Sequence, residues 1–340
     1  MSQNLPIKTL ICLVLTLFSC TKTGTFEVDE LPFNGLVVYV EDLRGKNGLL
    51  ANPFGDIVML DGNNNTKQII TNDGFYYAYP NLSPDQESII FESKRDRGIN
   101  ISGLGARSNI YQFDLGTKEI HNYWDIIYNQ TGFELGERME SPSLSPSGQK
   151  IAMIHTHYGN SNFMAIDFAN KKILQITNDR RLKPSSHGNI SWSPNEKFLT
   201  YDPQSLSRRP LQLLNFNTSQ LTPIDYPNYD TLEGNIRYFC SSGSWVDDSS
   251  FYFSCSTPSN RKTQIFKYSV IDNSSTEVMI VEDITVKSLQ TNSSGNEILF
   301  IGSKEGFRDD LYMLKLDSKE LIRITHDDKQ KDWMRWYPNN

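Results

Sequence analysis

Basic charge is in short supply in this chain. Its 340 residues carry 33 Lys and Arg against 40 Asp and Glu, giving a formal net charge of -7 and a pI near 5.3. Proteins that neutralise phosphates show a basic excess, so nucleic acid is set aside as a partner. Long hydrophobic runs are scarce too. The apolar run inside TLICLVLTLFSC covers about ten residues, half of what a membrane-spanning helix needs. Catalytic signatures are missing. No Gly-x-Ser-x-Gly elbow occurs, and the stretch GLGARS at 103–108 lacks the Gly-Lys-Ser/Thr ending and following helix of a phosphate loop. No hydrolase domain follows the repeats described below, which argues against a serine peptidase. Cysteine is sparse: of four, Cys12 and Cys20 fall in the N-terminal segment, leaving Cys240 and Cys255.

The N-terminus is a different material from the rest. MSQNLPIK carries one cation, Lys8, ahead of the apolar run, the layout of an export signal. The ending LFSC resembles a bacterial lipobox, with Leu17 three residues before Cys20 and Ser19 just before it. That resemblance implies a signal peptide over 1–19, a lipidated Cys20 and a tether over 20–32. Several acyl chains on one cysteine anchor stably, since each buried methylene contributes about 0.8 kcal/mol. The expected location is therefore the cell envelope, on a bacterial membrane and more readily the outer one, facing the periplasm or the exterior.

What the chain has in abundance is repetition. YPNLSPDQESIIF, ESPSLSPSGQKIAM, NISWSPNEKFLTY, SGSWVDDSSFYF and SLQTNSSGNEILF align without gaps, with the proline position at 84, 146, 194, 247 and 293. Each phrase sets turn residues between two β-prone runs, the chemistry of a hairpin. Each is followed by a second strand pair, such as NIYQFDLGTKEI or DLYMLKLDSKELIRITHD. Four antiparallel strands, a to d, recurring at intervals of 62, 48, 53 and 46 residues predict propeller blades. Near the end, DWMRWYPNN supplies a sixth strand a without a strand b, while GLVVYVEDL near the start is a strand b without a phrase before it. The fold expected is all-β: a six-bladed β-propeller over 33–340, its ring closed by a blade shared between the two ends.

The Trp-Ser-Pro turns, the NIYQFD and DLYMLKLD strands and the ITND closures resemble TolB-type, WD40-like propeller repeats. This resemblance covers the whole chain from residue 33. It implies a protein-interaction platform at the bacterial envelope, and implies no chemistry, because propellers host enzymes and scaffolds alike.

In such blades the a–b and c–d turns share one face of the disc, and the b–c and d–a connections share the other. The second set is longer and more varied, and function tends to sit on variable loops. Twelve of the fourteen arginines fall there. Arginine with Tyr and Trp is hot-spot composition, so the binding candidates are Arg95, Arg97, Arg180, Arg181, Arg208, Arg209, Tyr226, Tyr229, Arg308 and Trp333. The expected function is a non-catalytic, monomeric binding platform for an envelope protein or a glycan, with no cofactor. The alternative is a metal-dependent polysaccharide lyase. His155 and His157, two apart on a strand and facing one side, are its candidate ligands, with His187 and His326 as further guesses. Cys240 and Cys255 flank one a–b hairpin. A two-residue turn at Asp247 and Asp248 places them opposite each other, where a bridge forms; a four-residue turn separates them.

Overall fold

A computed structural model describes residues 24–42, 55–95, 108–131, 138–157, 160–177, 190–202, 211–225, 239–257, 262–304, 309–327 and 329–339. Six antiparallel sheets are arranged as the blades of a propeller. Blade 1 comprises Tyr77–Leu82, Ser88–Ser93, Asn109–Asp114 and Ile120–Asn122. Blade 2 comprises Arg138–Leu144, Lys150–His157, Asn160–Asp167 and Lys172–Thr177. Blade 3 comprises Ser191–Trp192, Phe198–Tyr201, Gln212–Asn215 and Gln220–Pro223. Blade 4 comprises Phe239–Trp245, Ser250–Thr257, Lys262–Ser269 and Ser274–Glu282. Blade 5 comprises Ile284–Thr291, Glu297–Lys304, Asp309–Lys315 and Glu320–Arg323. In blade 6, strand a is Gln330–Tyr337 from the far end of the chain, followed by Leu36–Asp42, Gly55–Asp61 and Thr66–Ile69 from its beginning. Each strand a touches the strand a of the next blade, so these six strands line the central channel.

Period-two alternation builds the core. In LVVYVED, Val37 and Tyr39 face blade 5, whereas Val38 and Val40 face blade 1. Both faces of a blade are covered by neighbours, so its strands are apolar on alternate residues in both directions. Six hydrophobic clusters result, one in each interface between adjacent blades.

Turn chemistry explains why the chain repeats itself. The serine hydroxyl of each Ser-Pro phrase caps the a–b hairpin: the amides of Ser88, Lys150 and Phe198 donate to Ser83, Ser145 and Ser193 at 2.9, 3.1 and 2.9 Å. Three residues on, Gln86, Gly148, Glu196 and Gly295 take left-handed φ values of 60, 71, 58 and 69°. The c–d turns each hold one left-handed residue as well: Asn65, Lys118, Lys171, Ser219, Asn273 and Lys319. Turns of this kind reverse the chain with the twist that antiparallel strands require.

The hairpin of blade 4 departs from both turn lengths expected. Trp245 pairs with Phe251 across a loop of Asp247 to Ser249, which offsets the register by one residue. A bulge between Ser241 and Ser244 offsets it back, and Cys240 then lies opposite Cys255, to which it is disulfide-bonded. Only glycine fits that bulge. A Cβ on Gly243 would stand 1.7 Å from the carbonyl oxygen of Tyr252.

Two further features were not anticipated. Thr25–Glu27, within the stretch read as a tether, pairs with Thr66–Ile69 and forms a fifth, outermost strand of blade 6. That covers a sheet edge whose amides would otherwise be open to pairing with another chain. The d–a connection after blade 1 contains a helix, Tyr123–Thr131, whose Tyr123 and Ile127, one turn apart, are buried against blade 1 and blade 2. Among the described residues no helix is long and apolar enough to cross a membrane.

Candidate binding site in the propeller channel

The channel opens into a cavity of about 710 Å³ at the end where the a–b turns gather. Every blade contributes to its wall, and contributes the same position: the residue just before the Leu, Trp or Thr that begins each turn phrase. In blade order these are Asn81, Ser143, Ser191, Ser244, Gln290 and Arg335. Five are neutral and one is a cation. The a–b phrases that form the hairpin turns thus also frame a site.

Three of the six spend their polar atoms on the ring itself. Asn81 Nδ2 donates to the carbonyls of Tyr79 and Pro142 at 2.7 and 3.0 Å. Ser143 Oγ donates to the Ile190 carbonyl at 2.8 Å, and Ser244 Oγ accepts from the Thr291 amide at 3.0 Å. The bonds to Pro142 and Ile190 and the one from Thr291 each tie one inner strand to the next, whereas the bond to Tyr79 closes within its own strand. The indoles do likewise: Trp192 Nε1 donates to the Ser143 carbonyl and Trp245 Nε1 to the Ser191 carbonyl, at 3.0 and 3.3 Å.

Arg335 behaves differently. From strand a of blade 6 it reaches across the channel, and Nη2 donates to the Ile190 carbonyl beside blade 3 at 2.6 Å. No carboxylate among the described residues lies within ion-pair distance of it. Burial is the foremost influence and holds the guanidinium below its ordinary pKa, with Tyr337 and Tyr79 acting in the opposite sense. Tyr337, whose hydroxyl accepts from the Leu82 amide at 2.7 Å, is itself pushed up to about 12, by burial first. Gln290, on the neighbouring blade, is buried, and its Nε2 donor has no acceptor among the described residues.

Strand a also carries recurring backbone strain. Pairing is interrupted by a bulge in blades 1, 2, 4, 5 and 6. In three of these bulges a non-glycine residue is left-handed: Tyr79, Ser141 and Trp333, at φ of 51, 53 and 51°. A bulky residue in that region is uncommon and costs energy that packing must supply. The Tyr79 and Trp333 rings meet at 5.5 Å between centroids, and Tyr76 meets Trp333 edge to face at 6.1 Å.

Of the residues proposed from sequence for the opposite face, Arg95 and Trp333 are described. Arg95 forms an ion pair with Asp73, and its guanidinium lies over the rings of Phe75 and Tyr111. Trp333, read as a loop residue, is inside strand a of blade 6, in the bulge just named. Arg97, Arg180, Arg181, Arg208, Arg209, Tyr226, Tyr229 and Arg308 lie outside the described residues, as does Cys20. The ends of blades 5 and 6 on that face carry a dense ionic network. Glu41 accepts from Lys67 and Lys329 at 2.7 and 2.6 Å, and Asp310 from Arg323 Nη2 at 2.6 Å. Fully buried Lys331 pairs with Asp327. These charges are spent on one another. His155 is buried on strand b of blade 2, and His326 belongs to the connection between blades 5 and 6, on the other side of the ring. His187 lies outside the described residues, and among those described no three His, Cys, Asp or Glu side chains form a metal-binding group.

Arg335 and Gln290 were missed, although a signal existed. With the phrases in register, DWMRWYP sets a lone arginine in a column otherwise filled by Asn, Ser, Ser, Ser and Gln.

Comparison with known proteins adds fold information. No family model matches the chain, and none of the curated proteins does. Solved structures do. TolB from Acinetobacter baumannii superposes with a TM-score of 0.62 at 15% identity, over 90% of this chain and 67% of that one. A TolB-type protein from Agrobacterium tumefaciens gives 0.57 at 13%, over 90% and 99%. An oligogalacturonate lyase in complex with manganese gives 0.55 at 12%, over 81% and 71%. At such identities the likeness is one of architecture. With six four-stranded blades, the last stitched from both ends of the chain, this protein has the TolB-like β-propeller fold.

Proposed function

We propose that the protein is a non-catalytic binding module of the bacterial envelope, held to a membrane through Cys20, which takes a polypeptide partner at the channel mouth framed by the a–b turns. The observation that carries this reading is the cavity walled by all six blades, whose one cation has no ion-pair partner among the described residues. A rigid ring with a concave mouth, walled by apolar and polar side chains in nearly equal share that converge on one axis, has the form of a ligand site. The cations described on the opposite face are largely paired with neighbouring acids, which leaves them less to offer a partner. A surface there built from Arg97, Arg180, Arg181, Arg208, Arg209, Tyr226, Tyr229 and Arg308 would be a second contact area of the same partner. The lyase reading shares the fold likeness, but it requires metal ligands that converge.

Photo-crosslinking residues placed at exposed Gln86 and Asp248 on the a–b rim, and at exposed Lys262, where strand c of blade 4 begins on the opposite face, test the proposal in cells. Capture of one defined envelope protein from the rim positions supports it. Capture from Lys262 alone would move the site to the other face, and stoichiometric metal with turnover of an acidic polysaccharide would replace binding by catalysis.

A further inference from the structure

Two polar groups at the floor of the cavity are left over after the fold is accounted for. A guanidinium presents five N–H donors, and Arg335 uses one of them on the Ile190 carbonyl. Gln290 Nε2 is a buried donor with no acceptor among the described residues, on the blade next to that of Arg335 and at the same ring position. A buried donor without a partner costs free energy, and native proteins hold few of them. Here two side chains at equivalent positions of adjacent blades, one of them positively charged, have donors that lack an acceptor among the described residues. Planar carboxylates suit a guanidinium because two parallel N–H bonds can form at once.

The rim narrows the choice of anion. Asp247 and Asp248 stand on the wall of the same cavity. Asp247 is held below the usual carboxylate range: burial opposes this, and hydrogen bonds from Ser249 and Ser250 outweigh it. Asp248 accepts from the Asn195 amide at 2.8 Å. A single negative charge can pass two acids to reach Arg335, whereas a polyanion carrying a charge on every unit would be repelled along its length. The rim also carries four prolines, Pro84, Pro146, Pro194 and Pro338, with Ser145 and Ser293 among them. The indoles behind it are only 5–7% exposed, packed into the cores between blades, so they present no open ring face on which a sugar could stack. The volume, about 710 Å³, fits the end of a chain and not a folded domain.

We propose that the channel mouth is a receptor for one carboxylate, presented by the C-terminal end of an extended polypeptide, with Arg335 and Gln290 as its direct contacts. This rests on the binding-module reading and specifies what the module recognises. The chain end enters along the propeller axis. Its carboxylate meets the free N–H groups of Arg335 and the Nε2 of Gln290, and its last residues lie among the prolines and serines of the rim.

The test uses the full-length protein and two hexapeptide libraries of random sequence, immobilised through their N-termini, one ending in free carboxylates and the other in amides. The free-acid library is expected to retain at least tenfold more protein than the amidated one. Arg335→Met should abolish that difference. Gln290→Glu should abolish it as well, because the new carboxylate becomes a built-in occupant beside Arg335, and it should raise the melting temperature, which shows that the variant is folded. Equal retention on both libraries by a protein whose rim crosslinks persist in cells would overturn the carboxylate while leaving the binding module standing. Retention on neither library, with Arg335-dependent binding of trigalacturonate instead, would replace the peptide by an acidic glycan. Absence of library binding together with absence of rim crosslinks would remove both readings. Undiminished free-acid preference in Arg335→Met would also overturn the assignment.

Discussion

If Arg335 is kept for a ligand, removing it should stabilise the empty protein. Desolvation of a fully buried charge costs several kcal/mol, and Arg335, partly exposed on the cavity wall, bears a share of that cost. Against that stands one charge-assisted hydrogen bond, to the Ile190 carbonyl at 2.6 Å, worth about 1.5–3 kcal/mol. The carbonyl does not depend on it, because Ser143 Oγ also donates there at 2.8 Å. Arg335→Met therefore leaves no orphaned acceptor and fills the same space with an apolar chain. The net expectation is a gain of about 1–2 kcal/mol, or roughly 2 °C in a protein of this size. Urea unfolding followed by tryptophan fluorescence reads it as a higher midpoint at unchanged slope. A variant less stable by more than about 1 kcal/mol would refute the reasoning. Arg335 would then be a structural tie between blades 6 and 3, and the channel a plugged one.

Three other perturbations test the fold and its electrostatics. Asp56 is raised to about 6, by burial first and then by Asp73 and Glu41; its folded state holds the proton more tightly than the unfolded one, so stability is full at about pH 4 and falls as pH rises through 6. Asp56→Asn, which keeps an acceptor for Thr71, should flatten that slope and stabilise the protein at pH 7.5 by about 1–2 kcal/mol after allowance for solvent screening, with no gain at pH 4; parallel pH titrations of the unfolding midpoint decide it. Replacing Cys240 and Cys255 by serine opens a 15-residue loop and should cost about 3 kcal/mol, while a reductant that leaves the wild-type midpoint unmoved would count against a stabilising bridge. Trp336→Ala removes a side chain that seals the blade 5–6 core and donates to the Asn34 carbonyl at 2.9 Å. It should cost about 3–5 kcal/mol and expose blade 6 to limited proteolysis ahead of the other blades; digestion starting elsewhere would show that ring closure is not its role.

Much of this architecture was readable because its causes are local. A Ser-Pro turn, a left-handed residue three places on and an alternating apolar run are all spelled within a dozen residues, and repeating them fixes the blade count. The shared sixth blade followed from which strand was missing at each end. Bulges were not readable, because they are set by what two distant segments need from each other. The register of Cys240 against Cys255 depends on a three-residue turn and a bulge that cancel, and neither is marked except by Gly243. The pairing of Thr25–Glu27 with Thr66–Ile69 is equally non-local. The helix at Tyr123–Thr131 carried a signal that went unused: Tyr123 and Ile127 sit one turn apart behind Asn122, a residue type favoured at helix N-caps.

The site was obscured by the same regularity that revealed the fold. A repeat invites the conclusion that whatever recurs is structural, and the search for function then turns to what varies most, the long connections. In a closed ring the comparison that discriminates runs across blades at one position. Neutral side chains at five of six equivalent places show what the fold accepts there, and at Asn81, Ser143 and Ser244 the structure shows them stitching one inner strand to the next. Arg335 breaks that pattern, and among the described residues it spends one donor, on the Ile190 carbonyl. Where local chemistry and global fold agree everywhere except at one residue, the exception marks what the fold was not built to explain. A scaffold position that recurs in every blade can thus hold the most informative residue of the chain, because the surrounding repeats define, five times over, what that position would contain if it served the scaffold alone.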